Sequence, residues 1–223
     1  MPTDFVALYA TARDRFTGLV REVPESDFDR TVPGCPNWTA RDLVAHVAGV
    51  AADVSTGVLP TTGIDEWTAA QVEKRRGVAV PDLLAEWAST GIEDAIPTLP
   101  GPFAGIVVVD LITHEHDLRA AVGRADRDDP ATALPIRGYS RPLGAKIDEA
   151  GLPALRIEAG DLSFVAGSGE PGATVRGEPY EVFRALAGRR SEADVRALDW
   201  DGDPAPYLPI FSAFGALPAT SAG

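Results

Sequence analysis

The chain is poor in sulfur. Of its 223 residues, one is cysteine and one is methionine. A single cysteine excludes an internal disulfide framework and predicts a cytoplasmic protein. Long apolar runs are also missing, so no transmembrane helix is expected. The opening Met1-Pro-Thr-Asp-Phe-Val-Ala-Leu8 lacks the basic region and apolar core of a signal peptide. Positive charge is scarce: 20 Lys and Arg face 33 Asp and Glu, for a net charge of −13. That balance argues against nucleic acid and anionic membrane as partners, because phosphate binding needs a basic surface. A small anionic substrate in a local pocket remains compatible with it. The glycines of Gly167-Ser-Gly-Glu-Pro-Gly172 read as turn punctuation. No strand, Gly-rich loop and helix with a Lys occur in the order a phosphate-binding loop requires. No internal repeat is visible.

What remains is an ordinary globular composition, 45% hydrophobic and 24% charged, long enough for one large domain or two small ones. The first half reads as helices. Residues 4–22 place Phe5, Leu8, Tyr9, Ala12, Phe16, Leu19 and Val20 near a 3.6-residue period. Pro24 ends that helix, and residues 32–38 read as a loop. Thr39 and Asp42 resemble a capping box at the start of a helix to about Ser55. Pro81 opens a third helix reaching Ile92. Phe103 to Val122 forms a fourth, apolar nearly all round at its start, and hence central and buried. Four such helices predict a bundle.

The pattern changes after Gly123. Residues 124–130 read as a charged linker or turn. Residues 154–158, 162–165 and 173–175 are strand candidates, Tyr180 to Leu186 a helix, and Val195 to Trp200 a last strand. The expected class is therefore α+β. A helical domain over residues 1–135 precedes a small α/β domain over 136–217 and a disordered tail, 218–223.

The three histidines carry the chemistry. His46 closes Trp38-Thr-Ala-Arg-Asp-Leu-Val-Ala-His46, and the others lie in Asp110-Leu-Ile-Thr-His114-Glu-His116-Asp117-Leu118. Asp110 and His114 are four apart, so a helix presents both on one face. A nitrogen from a neighbouring helix completes two histidines and one carboxylate with an open position, a recurring recipe for Zn²⁺ and related metals. Asp110 in an apolar helix needs a partner, because an unpaired buried carboxylate is costly. A metal ion is one solution; an Arg or a cap from another helix is the other. Asp117 returns to nearly the face of Asp110, either to orient a ligand histidine or as an exposed acid. His116 points about 240° away around the helix. Asp42 and Asp53 lie near the His46 face as supporting groups or solvated charges. Cys35 sits in a Pro/Gly loop with no histidine near it in sequence and reads as a passive thiol. The Arg189-Arg190 doublet reads as a solvated helix end.

Three segments together resemble a known family. They are Pro36-Asn-Trp38-Thr-Ala-Arg-Asp-Leu-Val-Ala-His46-Val-Ala-Gly49, Asp110-Leu-Ile-Thr-His114-Glu-His-Asp117-Leu118, and residues 176–189 followed by Leu198-Asp-Trp200-Asp-Gly202-Asp203. The pattern is similar to that of the mycothiol-dependent maleylpyruvate isomerase family, within the DinB-like metal-binding superfamily. The resemblance implies a DinB-like four-helix bundle holding a divalent metal, usually zinc, on His46, Asp110 and His114. It also implies a smaller C-terminal α/β domain. Asp110 stands where the family commonly has Glu. The implied cofactors are the metal and the thiol mycothiol, whose sulfur is the nucleophile toward a small electrophile. In an isomerase, thiolate addition to a cis double bond permits rotation and elimination gives the trans product. In a transferase, the adduct is the product. A C-terminal arginine, assigned to Arg189, is expected to bind a substrate carboxylate. A monomer or homodimer is expected. Two other readings stay open: a metal-dependent hydrolase that activates water, and a non-catalytic binding module that kept the fold.

Overall fold

The Asp4 carboxylate accepts the Ala7 N–H at 3.0 Å and opens α1 (Phe5–Glu22), whose Tyr9, Ala12, Phe16, Leu19 and Val20 form a buried stripe. The computed structural model describes residues 3–60 and 63–222. The expected loop at 32–38 is a short antiparallel pair, β1 (Thr31–Val32) with β2 (Cys35–Thr39). Pro33 and Gly34 make the turn between them, which conceals the strands in the sequence. Thr39 and Asp42 form the capping box of α2 (Ala40–Ser55): Thr39 Oγ1 accepts the Asp42 N–H, and Asp42 Oδ2 accepts the Thr39 N–H at 2.9 Å.

Next comes α3 (Ile64–Lys74), a helix without a strong apolar stripe; Gln71 and Val72 are its buried residues. Pro81 lies in the first turn of α4 (Val80–Ala88). The helix expected to reach Ile92 stops early, because Gly91 adopts φ +64° and begins α5 (Ile92–Ala95) as a separate turn. α6 (Phe103–Ala121) is buried from Val107 to Leu118 except at Asp110. The four helices read from the sequence correspond to α1, α2, α4 and α6. α1 packs along α6, and α2 packs against α3, α4 and α6. Trp87 anchors the core, donating its indole N–H to Tyr9 Oη at 2.9 Å and meeting Phe16 edge-on. Among the described residues no helix is long and apolar enough to cross a membrane.

The chain divides into two compact units, 1–125 and 126–223. The division precedes the 135/136 boundary read from composition, because the second unit opens with a helix, α7 (Ala133–Glu149). Pro135, Gly138, Pro142 and Gly144 mask it in the sequence; Pro135 fits the first turn, where no backbone donor is needed. Four strands follow in the sheet order β4-β3-β5-β6. They are β3 (Ala154–Ala159), β4 (Leu162–Ala166), β5 (Pro171–Gly177) and β6 (Asp199–Asp201). β3 pairs antiparallel with β4 and parallel with β5; the crossover between the parallel pair runs through β4. α8 (Pro179–Leu186) and α7 pack together. The strand expected over 195–200 is instead α9 (Glu192–Arg196) followed by β6, since Ser191 caps the helix through the Asp194 N–H.

The tail is not loose where the structure describes it. Ala222 is buried, donates its N–H to Arg189 O at 2.9 Å and accepts from Arg190 Nη1 at 3.0 Å. Gly223 lies outside the described residues. Small, polar composition suggested disorder; backbone hydrogen bonds to the arginines supply the anchoring that composition does not reveal.

Candidate metal centre

Two helices of the first unit bring His46, Asp110 and His114 together. α2 carries His46, and α6 carries the other two one turn apart. Asp110 bridges the imidazoles: its Oδ1 is 3.4 Å from His114 Nε2, and its Oδ2 is 3.6 Å from His46 Nε2. The rings are 4.8 Å apart, centroid to centroid. One ligand atom from each of the three lies within 4.8 Å of the others. A tetrahedral ion bound at about 2.0–2.2 Å spaces its ligands by roughly 3.3–3.6 Å, so the donor set fits. The aspartate, though shorter than glutamate, reaches both imidazoles. Its side chain is 33% exposed while those of His46 and His114 are 2% and 9% exposed, so the cluster meets solvent at the carboxylate.

The tautomer of His46 is fixed from behind. Its Nδ1–H donates to Gln71 Oε1 at 2.9 Å. The Gln71 amide is oriented in turn by its own N–H, donated to Asp53 Oδ2 at 2.9 Å. A carboxylate only accepts, so the amide nitrogen must face Asp53 and the amide oxygen must face the imidazole. The lone pair of His46 Nε2 is thereby left toward Asp110. Burial lowers the His46 pKa, keeping the ring neutral near pH 7, as a ligand must be. Sequence reading missed Gln71 because α3 has no strong periodic stripe. The one available signal was a polar residue beside Val72 on the helix's buried side. Gly49 makes the approach possible: a Cβ there would lie 2.6 Å from Gln71 Cβ. Gln71→Ala is expected to weaken metal binding by about 10- to 100-fold while α2 and α6 stay folded. Metal titration beside circular dichroism checks this, and unchanged affinity would remove Gln71 from the site.

Asp117 is buried and presents Oδ2 3.2 Å from His114 Nδ1, so it is not an exposed acid. Burial alone would lower the His114 pKa. The Asp110 and Asp117 carboxylates outweigh it and push the value up to about 9. Burial works to raise the Asp110 pKa, but the two imidazoles hold the carboxyl below the usual range. Trp38 on β2 closes one side, its ring 4.9 Å from that of His46 and 6.0 Å from that of His114. It also lines a cavity of about 440 Å³ with Asn37, Asp42, Val72, Glu73 and Arg76. Asp42 is committed to the cap of α2, and Asp53 to Gln71. His116 is buried, and Glu115 beside it pairs with Arg15 and Arg119.

In the second unit, Arg189 is buried rather than solvated. It donates to Ala187 O at 2.8 Å and lies over the Phe214 ring. Arg190 is buried too, with Nε and Nη2 on the Glu181 carboxylate.

Residues 9–95 match the family model described as the mycothiol maleylpyruvate isomerase N-terminal domain. Two uncharacterized proteins of Mycobacterium tuberculosis, from two strains, are each 27% identical over 158 residues, covering 63% of this chain and 79% of their own. A crystal structure of the mycothiol-dependent maleylpyruvate isomerase superposes with a TM-score of 0.56 at 15% identity. That of a histidine-to-alanine mutant superposes with a TM-score of 0.63 at 14% identity. Each alignment covers 88% of this chain and 91% of the other. At that identity the likeness establishes the α+β fold. Over residues 9–95 the chain is thus similar to the N-terminal domain of mycothiol-dependent maleylpyruvate isomerase.

Proposed function

We propose that this protein is a metal- and mycothiol-dependent enzyme acting on a small electrophile, of the maleylpyruvate isomerase type or a related thiol transferase. The observation that carries the reading is the His46–Asp110–His114 cluster, set between two helices of a domain whose family is named for that thiol and that reaction. A divalent metal, zinc foremost, would be held by His46 Nε2, Asp110 and His114 Nε2. When bound it supplies Lewis acidity that lowers the pKa of a thiol beside it, and mycothiol supplies the thiol.

The chain's own residues have separable tasks. Gln71 and Asp53 hold His46 in the tautomer that presents Nε2. Asp110 offsets the charge of the ion and, being part-exposed, marks the edge where small molecules reach the centre. Asp117 holds the opposite edge of the His114 ring. Trp38 packs its ring beside both imidazoles and shields them from water. Arg189 is our candidate for the substrate-carboxylate contact, chosen because a guanidinium pairs a carboxylate in bidentate fashion.

Metal uptake should release a proton. His114 keeps its charge up to about pH 9 in the metal-free protein. His46, lowered by burial, has no proton to give up near neutrality. Protonation and metal compete for His114, so affinity falls as pH falls. Between pH 8 and 6 the apparent dissociation constant for Zn²⁺ should rise about 100-fold, tenfold per unit for one proton. Titration calorimetry in buffers of different ionisation enthalpy reads the proton directly. A pH-independent affinity would remove His114 from the ligand set.

A further inference from the structure

We infer that Cys35, His114 and Asp117 form a second cation position, selective for thiophilic ions, on the Nδ1 edge of the His114 ring. One donor atom from each lies within 4.8 Å of the other two. Cys35 Sγ is 4.0 Å from Asp117 Oδ2, which is 3.2 Å from His114 Nδ1. A tetrahedral ion bound at about 2.3 Å to sulfur and 2.0–2.2 Å to nitrogen and oxygen spaces its ligands by roughly 3.3–3.7 Å. The observed separations bracket that span. A second observation points the same way. His114 Nδ1 is buried and makes no aligned hydrogen bond, although Asp117 lies beside it. A side chain 9% exposed thus presents this nitrogen, in ion-pair range of Asp117 but without an aligned hydrogen bond, toward the thiol and the carboxylate.

The fold makes the arrangement, not sequence proximity. Cys35 and Asp117 are 82 positions apart, and β2 brings the thiol up to α6. Cys35 is half-buried, so an ion can enter from its side. Thiolate, imidazole and carboxylate together select Zn²⁺, Cd²⁺ and softer ions over Mg²⁺ or Ca²⁺. Binding converts the Cys35 S–H to a thiolate and removes the Nδ1 proton of His114; both protons pass to solvent, with no change of oxidation state. The inference shares His114 with the metal-centre reading but uses neither His46 nor Asp110, so the two can fail separately.

The probe is Cd²⁺, titrated into the full chain while the ultraviolet thiolate-to-cadmium charge-transfer band is followed. The wild-type protein should develop the band to an amplitude of one thiolate. Cys35→Ser and Cys35→Ala should lack it. Asp117→Asn should need at least about tenfold more Cd²⁺ for half-saturation. His46→Ala should keep the band with its midpoint moved less than about twofold, whether or not zinc is lost from the first cluster. Absence of the band in the wild type would overturn the inference. So would its disappearance in His46→Ala, or an unchanged midpoint in Asp117→Asn. Circular dichroism of each variant establishes that the bundle is intact.

Discussion

Metal-loaded, dialysed protein is expected to leave maleylpyruvate unchanged until mycothiol is added, and then to turn it over. The contrast should be at least about 10³-fold, equivalent to roughly 4 kcal/mol of transition-state stabilisation. The cluster offers two imidazoles and a carboxylate, groups suited to hold a metal rather than to attack carbon, and the chain's one thiol is turned toward Asp117 on the other edge of His114. A nucleophile must therefore come from outside. Cys35→Ser should keep the rate; a 10³-fold loss in a folded variant would contradict this division of labour. Full turnover without thiol would point to water as the nucleophile and a metal-dependent hydrolase. No turnover across a broad panel of thiols and electrophiles would favour a non-catalytic binding module. The net charge of −13 disfavours the long-range approach of an anionic electrophile. Local cations must supply the attraction.

Replacing His46 or His114 with alanine is expected to reduce bound zinc from about one equivalent to background. Loss of a supporting group costs about 10- to 100-fold in metal affinity, and loss of a direct ligand should cost more. The two variants differ in what they leave behind. His46→Ala strips Gln71 Oε1 of its donor in a buried setting, at about 1–3 kcal/mol of stability. His114→Ala leaves the Asp110 and Asp117 carboxylates without the imidazolium they flank, and should destabilise the metal-free protein further. That contribution has a definite pH dependence. The folded pKa of His114 is raised, so its stabilisation is fully present below about pH 6.5 and is lost as pH rises through about 9. Equal metal content in the wild type and both variants would rule the cluster out as the site.

Much of the first unit was legible because its signals are local. The Thr39–Asp42 box, the stripe of α1 and the apolar run of α6 each lie within one helix. The Asp110–His114 pair was legible for the same reason, since four-residue spacing is a property of one helix. His46 required a contact between helices, and the family resemblance supplied it before any coordinates. Three features could not be read this way. α3 has little amphipathic character, so the helix and its Gln71 were invisible. α7 hides behind prolines and glycines that usually end helices. The proximity of Cys35 to His114 and Asp117 depends on where β2 passes α6, and no spacing rule relates residues that far apart in sequence. The buried arginines of the second unit show the limit of a compositional rule: a basic doublet after a helix suggests a solvated end, but the tail and Phe214 pack against Arg189 and Arg190.

Zinc X-ray absorption at one equivalent of metal reads the ligand shell directly. Two imidazole nitrogens at about 2.0–2.1 Å, with carboxylate oxygen at about 2.0–2.2 Å, are expected for His46, His114 and Asp110. The imidazole signal should fall by half in any zinc that His46→Ala can still be forced to hold. A shell without imidazole, or one dominated by sulfur at about 2.3 Å, would contradict the assignment of this cluster as the metal centre.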